Sequence, residues 1–191
     1  YLGIKFDADA MIHRLGVQLY DTPLAMLREN VQNAYDAILE RMGKDPSFKD
    51  GIIKIEVVGD HITIIDNGIG MDELGLQENY WTAGHSGKNN PEARAAGVVG
   101  HFGIGALANF GVCSRLEVNT MKIGTNVRYL CIAERNKLTG TQFPLTTQED
   151  NTANYGTKIT AVLMPNVQIT AAQAETYISR YVQFIPIPVV I

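Results

Sequence analysis

The sequence is short of cysteine and of long apolar runs, and each shortage argues against a class of protein. Its two cysteines, Cys113 and Cys131, are too few for a disulfide scaffold and have no metal-ligand spacing around them. We expect both to be reduced core residues. No apolar run approaches the roughly 18 residues of a membrane span, and no signal peptide opens the chain. A cytoplasmic protein that does not enter the membrane is therefore expected.

The chain also lacks an excess of positive charge. Its formal net charge is -4, so nothing indicates a surface for nucleic acid or acidic lipid. A composition of 46% apolar and 19% charged residues is that of an ordinary globular protein. At 191 residues, we expect residues 1–191 to form a single domain. The chain begins at Tyr1 and ends in an apolar run, which suggests a piece of a longer protein.

Hydrophobic periodicity gives a coarse order of helices and strands. Helices are predicted at 8–20, 23–42, 72–80, 102–110 and 170–181, and strands at 52–58, 61–66, 114–121, 126–134, 157–164 and 187–191. Loops are predicted at 42–51 and 81–100. Because the middle strands follow each other through short connections, we predict an α+β fold of two layers. It has a mixed, mostly antiparallel sheet with helices on one face.

The predicted helix 23–42 carries a polar stripe opposite its apolar one. Glu29, Asn33 and Asp36 recur at i, i+4 and i+7, so one helix directs two carboxylates and an amide to one place. The apolar stripe contains Leu24, Leu27, Val31, Ala34 and Ile38. Taken alone, the polar stripe is better explained as the solvated side of an amphipathic helix.

An acidic glycine motif follows the second predicted strand. Asp66, Gly68 and Gly70 form D-x-G-x-G, in which a carboxylate can accept hydrogen bonds from an exocyclic amine. The two glycines let the backbone approach a flat ligand closely. The same pattern also fits a tight acidic turn, so it is weak by itself.

Two further glycine elements lie downstream. Gly100, Gly103 and Gly105 open a predicted helix, where successive backbone N–H groups make an anion site. A dinucleotide fingerprint is rejected, because no strand ends just before them and no acidic residue stands where a ribose partner is needed. Gly156 and Thr157 open a later strand, and a simple β-turn explains that pair as well.

In order and spacing, these motifs resemble the GHKL nucleotide-binding superfamily. That superfamily includes gyrase-type topoisomerases, mismatch-repair proteins, histidine kinases and heat shock protein 90 chaperones, and the chain most resembles the chaperones. The matching segments are Asp66-Asn-Gly-Ile-Gly-Met71, Gly100-His-Phe-Gly-Ile-Gly105, Gly156-Thr-Lys-Ile-Thr160 and Gln183-Phe-Ile-Pro-Ile-Pro188. The resemblance covers nearly the whole chain.

The resemblance implies a role for each motif residue. Glu29 would orient and deprotonate the attacking water, with Asp36 as a nearby acid, and Asn33 would be the protein ligand of Mg²⁺. Asp66 would accept from the adenine amine, and Thr157 would help through a water. Residues 81–100 would form a lid. The other implied contacts to ATP or ADP are Gly68, Gly70, Met71, Ser86, Gly100, His101, Phe102, Gly103, Ile104 and Gly105.

The chain also departs from the chaperone pattern. His85 stands where a lid lysine is usual, Ala106 stands where an aromatic residue is usual, and the lysine expected near Glu40 is missing. The departures indicate a divergent relative of the chaperones. They are expected to affect phosphate affinity and the shape of the pocket.

Three functions fit the motifs. The first is a Mg²⁺-dependent, slow ATPase domain that works with other domains of a longer chain, a second subunit and possible client proteins. The second is a histidine kinase ATP domain, against which Glu29 counts because kinases need no water-activating acid. The third is a nucleotide switch without turnover.

Overall fold

The computed structural model describes residues 22–82, 106, 109–138 and 144–191. Over these ranges the helices are α1 (Ala25–Lys44), α2 (Glu73–Gly75) and α3 (Ala171–Val182), and α2 runs on into a π-helical turn, Leu76–Tyr80. The strands are β1 (Ile53–Val58), β2 (His61–Asp66), β3 (Cys113–Met121), β4 (Val127–Glu134), β5 (Leu145–Glu149), β6 (Gly156–Leu163) and β7 (Val189–Val190). Short 3-10 turns occupy Asn109–Gly111 and Arg135–Lys137.

The described strands form one seven-stranded sheet in the order β5-β4-β3-β6-β2-β1-β7. Every neighbouring pair is antiparallel except β1 and β7, which are parallel. The β1–β2 connection is a tight turn at Gly59-Asp60, with Gly59 at φ 61°. The predicted mixed, mostly antiparallel sheet is confirmed.

Helix α1 buries its apolar stripe in the core. Leu27, Val31, Ala34 and Ile38 are buried as predicted, and Leu24 is half-buried against them. Helix α3 begins with a capping box between Thr170 and Gln173. Its buried residues Ala174 and Ile178 join the same core.

The sheet shows which side the helices cover. In β1 the buried Ile53 and Ile55 alternate with the exposed Lys54 and Glu56. The buried isoleucines of β1 and β2 belong to one cluster with the apolar residues of α1 and α3. The helices therefore cover one face, and the α+β two-layer prediction is confirmed.

Several predicted boundaries were wrong. Helix α1 begins at Ala25 and ends at Lys44, whereas the prediction was 23–42. Strand β5 was missed, because its residues Leu145–Glu149 are all exposed at the sheet edge and show no apolar alternation. The segment predicted as a helix at 72–80 is helical but ends in the π-helical turn.

Some predictions lie outside the described residues. These are the helix at 8–20, residues 83–100 of the lid, and most of the helix at 102–110, of which only the helical Ala106 and the 3-10 turn from Asn109 are described. Across the described part of the chain, no helix combines the length and apolar character needed to cross a membrane.

Candidate functional site

Asp66 is a buried carboxylate at the end of β2. It follows Ile62 and Ile64 on the face that packs against the helices, and only 8% of it is exposed. Its Oδ1 atom accepts the backbone N–H of Gly68 at 2.8 Å and that of Thr157 at 3.3 Å. Burial raises the pKa of Asp66 to about 7, and the two backbone hydrogen bonds oppose that rise. The carboxylate is fixed in orientation and poorly solvated.

The turn after Asp66 packs directly on α1. The backbone N–H of Ile69 donates to the carbonyl oxygen of Ala37 at 2.9 Å. A Cβ atom on Gly68 would lie 2.6 Å from the carbonyl carbon of Ala37. Gly68 is therefore required by contact with the protein's own helix, a role that its sequence pattern did not reveal.

Gly70 fixes the same turn to the β3–β4 connection. It has φ 65°, and a Cβ there would overlap the carbonyl oxygen of Met121. Beside it the Ile123 N–H donates to the Ile69 carbonyl oxygen at 2.9 Å, and the Met71 N–H donates to Thr120 Oγ1 at 2.9 Å. The turn is thus held from both sides, by α1 and by β3.

Thr157 lies beside Asp66 at the start of β6. It pairs with Asp66 across β2–β6 and with Thr120 across β3–β6. Its Oγ1 lies 3.0 Å from Thr120 Oγ1. The preceding Gly156 has φ 119°, and a Cβ there would overlap the carbonyl oxygen of Asp66. The close approach of β6 to the end of β2 explains why a glycine precedes the threonine.

Glu29 lies one turn before Asn33 on α1 and is engaged by its neighbour. Its Oε1 accepts from Arg28 Nε at 3.3 Å and Nη2 at 3.1 Å, and its side chain is 35% exposed. The Arg28 guanidinium also lies 5.6 Å from the centre of the Tyr181 ring on α3. Partial burial lowers the pKa of Arg28, but the hydrogen bond and charge of Glu29, together with Tyr177 and Tyr181, outweigh it, so the pKa is raised. Sequence spacing did not predict this ion pair.

The polar stripe of α1 was predicted to lie opposite the core, but one of its residues is buried. Asp36 is only 2% exposed and accepts from Gln32 Nε2 at 2.9 Å, whereas Asn33 is half-buried. The residue after Asp36 is Ala37, which contacts Gly68 and Ile69. The stripe therefore turns inward at Asp36, and α1 contacts the turn after Asp66 through the next residue, Ala37.

Two supporting residues of α1 were missed. The buried Asn30 donates from Nδ2 to the Met26 carbonyl oxygen at 2.8 Å and to Asn109 Oδ1 at 2.7 Å. Arg41 lies 3.9 Å from the centre of the Phe48 ring and donates from Nη1 to the Asn67 carbonyl oxygen at 2.7 Å. The Asn30–Asn109 and Arg41–Asn67 hydrogen bonds join segments distant in sequence, so no local pattern signals them.

The remaining predicted site residues are not described. Ser86 and Gly100, His101, Phe102, Gly103, Ile104 and Gly105 lie outside the described ranges, so their contacts stay predictions. Among the residues that are described, no three His, Cys, Asp or Glu side chains group as a metal cluster. The role of Asn33 as a Mg²⁺ ligand stays a prediction.

Comparison with known proteins shows the family of this chain. Residues 22–158 match the model of the family described as histidine kinase-, DNA gyrase B-, and HSP90-like ATPase. The chain belongs to this ATPase family. The matched range contains α1, Asp66, Gly70 and Thr157, and it confirms the resemblance to GHKL ATPases. Membership of this family implies that the domain binds ATP and ADP.

Within the ATPase family, the chain is similar to bacterial chaperone proteins HtpG. It is 35% identical to that of Halorhodospira halophila over 130 residues, which are 60% of this chain and 20% of the relative. It is 31% identical to that of Ehrlichia canis over 181 residues, 84% of this chain and 28% of the relative. For Helicobacter pylori the identity is 28% over 202 residues, 95% of this chain and 30% of the relative. The chain spans less than a third of the length of these relatives.

Proposed function

We propose that this domain binds ATP and ADP with the adenine amine on Asp66, and that it hydrolyses ATP slowly with Mg²⁺. The observation that carries the proposal is the buried Asp66 carboxylate. Both of its hydrogen bonds from described residues end on Oδ1, and its strand partner Thr157 lies beside it. Membership of the ATPase family supports the choice of nucleotide.

A buried carboxylate suits an exocyclic amine. An ionised carboxylate only accepts hydrogen bonds. An amine placed against Oδ2 donates one in place of the water molecules that burial excludes from Asp66. Because one partner is charged, such a bond contributes roughly 1.5–3 kcal/mol. The rigid turn from Gly68 to Gly70 keeps the carboxylate in place, so no ordering is needed when the ligand binds.

The proposed hydrolysis uses the polar stripe of α1. Glu29 takes a proton from the attacking water, for which a partly exposed carboxylate at the rim of the site is suited. Asn33, one helical turn further on, provides its amide oxygen to Mg²⁺. When bound, Mg²⁺ would neutralise phosphate charge. Asp36, held by Gln32, supports the same region from the buried side.

For the whole protein we propose an ATP-driven chaperone. The relatives named above are chaperones, and Glu29 offers a water-activating acid that a histidine kinase does not need. The alternative as a histidine kinase domain is therefore less favoured. In the proposal, nucleotide binding changes the conformation of a larger, dimeric and cytoplasmic protein that acts on client proteins. Slow turnover distinguishes this function from a nucleotide switch that never hydrolyses.

The test is calorimetric titration of ADP and ATP into the chain of residues 1–191. The wild type should bind both, and Asp66→Asn should weaken binding by roughly tenfold to several hundredfold. The substituted amide oxygen still accepts from Gly68 and Thr157, but its NH₂ group meets the donor amine of adenine.

A matched control is Asp60→Asn in the exposed β1–β2 turn, where the Asp60 side chain contacts the neighbouring His61. It should bind ADP as the wild type does. Unchanged ADP affinity in Asp66→Asn would remove Asp66 from the site.

A further inference from the structure

Three polar side chains form a row across neighbouring strands. Asp66 on β2 pairs with Thr157 on β6, and Thr157 pairs with Thr120 on β3. All three are buried, and Thr120 is completely so. Opposed residues of adjacent strands place their side chains on the same face about 5 Å apart. Thr120 is therefore the second neighbour of the proposed adenine-binding carboxylate, on the far side of Thr157.

The Thr120 hydroxyl contacts three groups of the site at once. It accepts from the Met71 N–H at 2.9 Å, and it lies 3.0 Å from Thr157 Oγ1 and 3.1 Å from the Gly156 carbonyl oxygen. A hydroxyl has one proton and two lone pairs. The Met71 N–H occupies one lone pair, so the proton goes either to Thr157 or to Gly156.

The direction of that proton decides what Thr157 presents to a ligand. When Thr120 donates to Thr157, the Thr157 hydroxyl keeps its own proton for the site. A donor then stands beside the Asp66 acceptor. When Thr120 donates to Gly156, Thr157 has to donate back to Thr120 and offers only lone pairs. A ligand with a ring nitrogen acceptor next to an amine, as adenine has, selects the first arrangement.

We propose that Thr120 is a positioning residue for nucleotide recognition, acting through the Thr157 hydroxyl and the Met71 backbone. The inference rests on the proposed nucleotide site and adds a residue that does not itself touch the ligand. Val118, two residues earlier on β3, fills the core with an apolar side chain. The inference explains why position 120 carries a buried hydroxyl instead.

The sheet supplies a matched control on its other face. Thr63 and Thr160 form the same kind of cross-strand hydroxyl pair, at 3.3 Å on β2 and β6, and are remote from the Asp66 turn in register. Thr63→Val removes a hydroxyl from an equivalent threonine pair without touching the site. A general effect of losing a cross-strand threonine bond would appear in both variants.

The experiment measures ADP affinity by calorimetry in Thr120→Val, Thr157→Val, the double variant, Thr120→Ser and Thr63→Val. Thr120→Val should weaken ADP binding about tenfold, which corresponds to the loss of one hydrogen bond. The double variant should bind within about threefold of Thr157→Val, because Thr120 acts through Thr157 and the losses do not add. Thr120→Ser should restore the affinity, and Thr63→Val should leave it unchanged.

Two outcomes would overturn the inference. One is additive losses in the double variant, and the other is wild-type ADP affinity in a folded Thr120→Val. If Thr120→Val does not fold, Thr120→Ser decides, because it keeps the hydroxyl and must bind ADP normally. A wild type that does not bind ADP, or an Asp66→Asn variant that binds it fully, would instead refute the nucleotide site itself.

Discussion

Thr157 donates its backbone N–H to Asp66 Oδ1 over 3.3 Å, across the β2–β6 pair. With the Gly68 N–H at 2.8 Å, this bond orients the carboxylate but does not compensate for the loss of water around it, since the pKa of Asp66 still rises to about 7. In the empty domain burial therefore disfavours the charged form of Asp66, which a donor amine on the ligand is suited to stabilise. Stability and recognition oppose each other at one residue.

Asp66 makes the stability of the nucleotide-free domain depend on pH. Its folded pKa of about 7 lies above the unfolded value of 3.8, so the folded state binds this proton more tightly. The contribution of Asp66 to the free energy of unfolding is fully present below pH 4 and is lost as the pH rises through 7. The loss is roughly 4 kcal/mol at most. Asp66→Asn removes this loss, so the empty variant should be more stable than the wild type at pH 8.

Urea unfolding at pH 5 and pH 8 measures this effect. The advantage of Asp66→Asn should grow between the two pH values, whereas Glu56→Gln on the exposed face of β1 should show no such growth. An advantage that is the same at both pH values would mean that Asp66 is not the titrating group.

The sequence predicted the fold class because its signals are local. The apolar stripe of α1 and the alternation in β1 follow from residue periodicity, and the β1–β2 turn follows from the Gly59-Asp60 pair. Strand β5 has no such pattern, because an edge strand exposed on both faces is not selected for alternation.

The site was predicted as a set of residues but not as a set of contacts. Asp66 and Thr157 were assigned from ordered motifs, yet the row that continues to Thr120 depends on strand register. Similarly, Gly68 contacts α1 through Ala37, although the motif suggested contact with a ligand. Register and helix packing arise from long-range contacts, which spacing along the chain does not contain.

Glu29→Gln should separate nucleotide binding from hydrolysis. The glutamine amide oxygen can still accept from Arg28, but the side chain no longer takes a proton. ADP affinity should stay within about threefold of wild type, while ATP turnover by the full-length protein falls at least about a hundredfold. Glu40→Gln on the same helix, paired with Lys44 at 2.8 Å, is the control and should keep turnover. Wild-type turnover in Glu29→Gln would show that another group is the base.

Asn33→Ala should change how binding depends on Mg²⁺. Since the proposed role of Asn33 is to give one oxygen to the ion, the variant should bind ATP equally well with Mg²⁺ and with a chelator. The wild type should bind more tightly with Mg²⁺ present. Calorimetry in both buffers supplies the control for each protein, and a retained Mg²⁺ effect in the variant would exclude Asn33 as the ligand.

Gly70→Ala should destabilise the domain through contact with β3. Its φ of 65° costs about 1–2 kcal/mol for any residue with a Cβ, and the new atom would also overlap the Met121 carbonyl oxygen. Gly59→Ala is matched, because Gly59 has φ 61° and nothing within 4 Å of the added Cβ. The free energy of unfolding should therefore fall further in Gly70→Ala than in Gly59→Ala. Equal losses would mean that the turn does not depend on its packing against Met121.

The last prediction concerns turnover by residues 1–191. Transfer of the γ-phosphoryl group needs positive charge beyond Mg²⁺, often from an arginine that another domain or subunit supplies. The cation nearest to Glu29 in the described structure, Arg28, is already bonded to that carboxylate and lies against Tyr181. In the sequence, His85 stands where the chaperone resemblance predicts a lid lysine.

We therefore expect residues 1–191 to bind ATP with Mg²⁺ but to hydrolyse it at well below about one turnover per minute, as NTPases do without that added arginine. The assay is phosphate release, with Glu29→Gln as the background for contaminating ATPases. Fast release that Glu29→Gln abolishes would show that the needed charge is already within these residues. Lys88→Ala would then identify or exclude the lysine closest in sequence to His85.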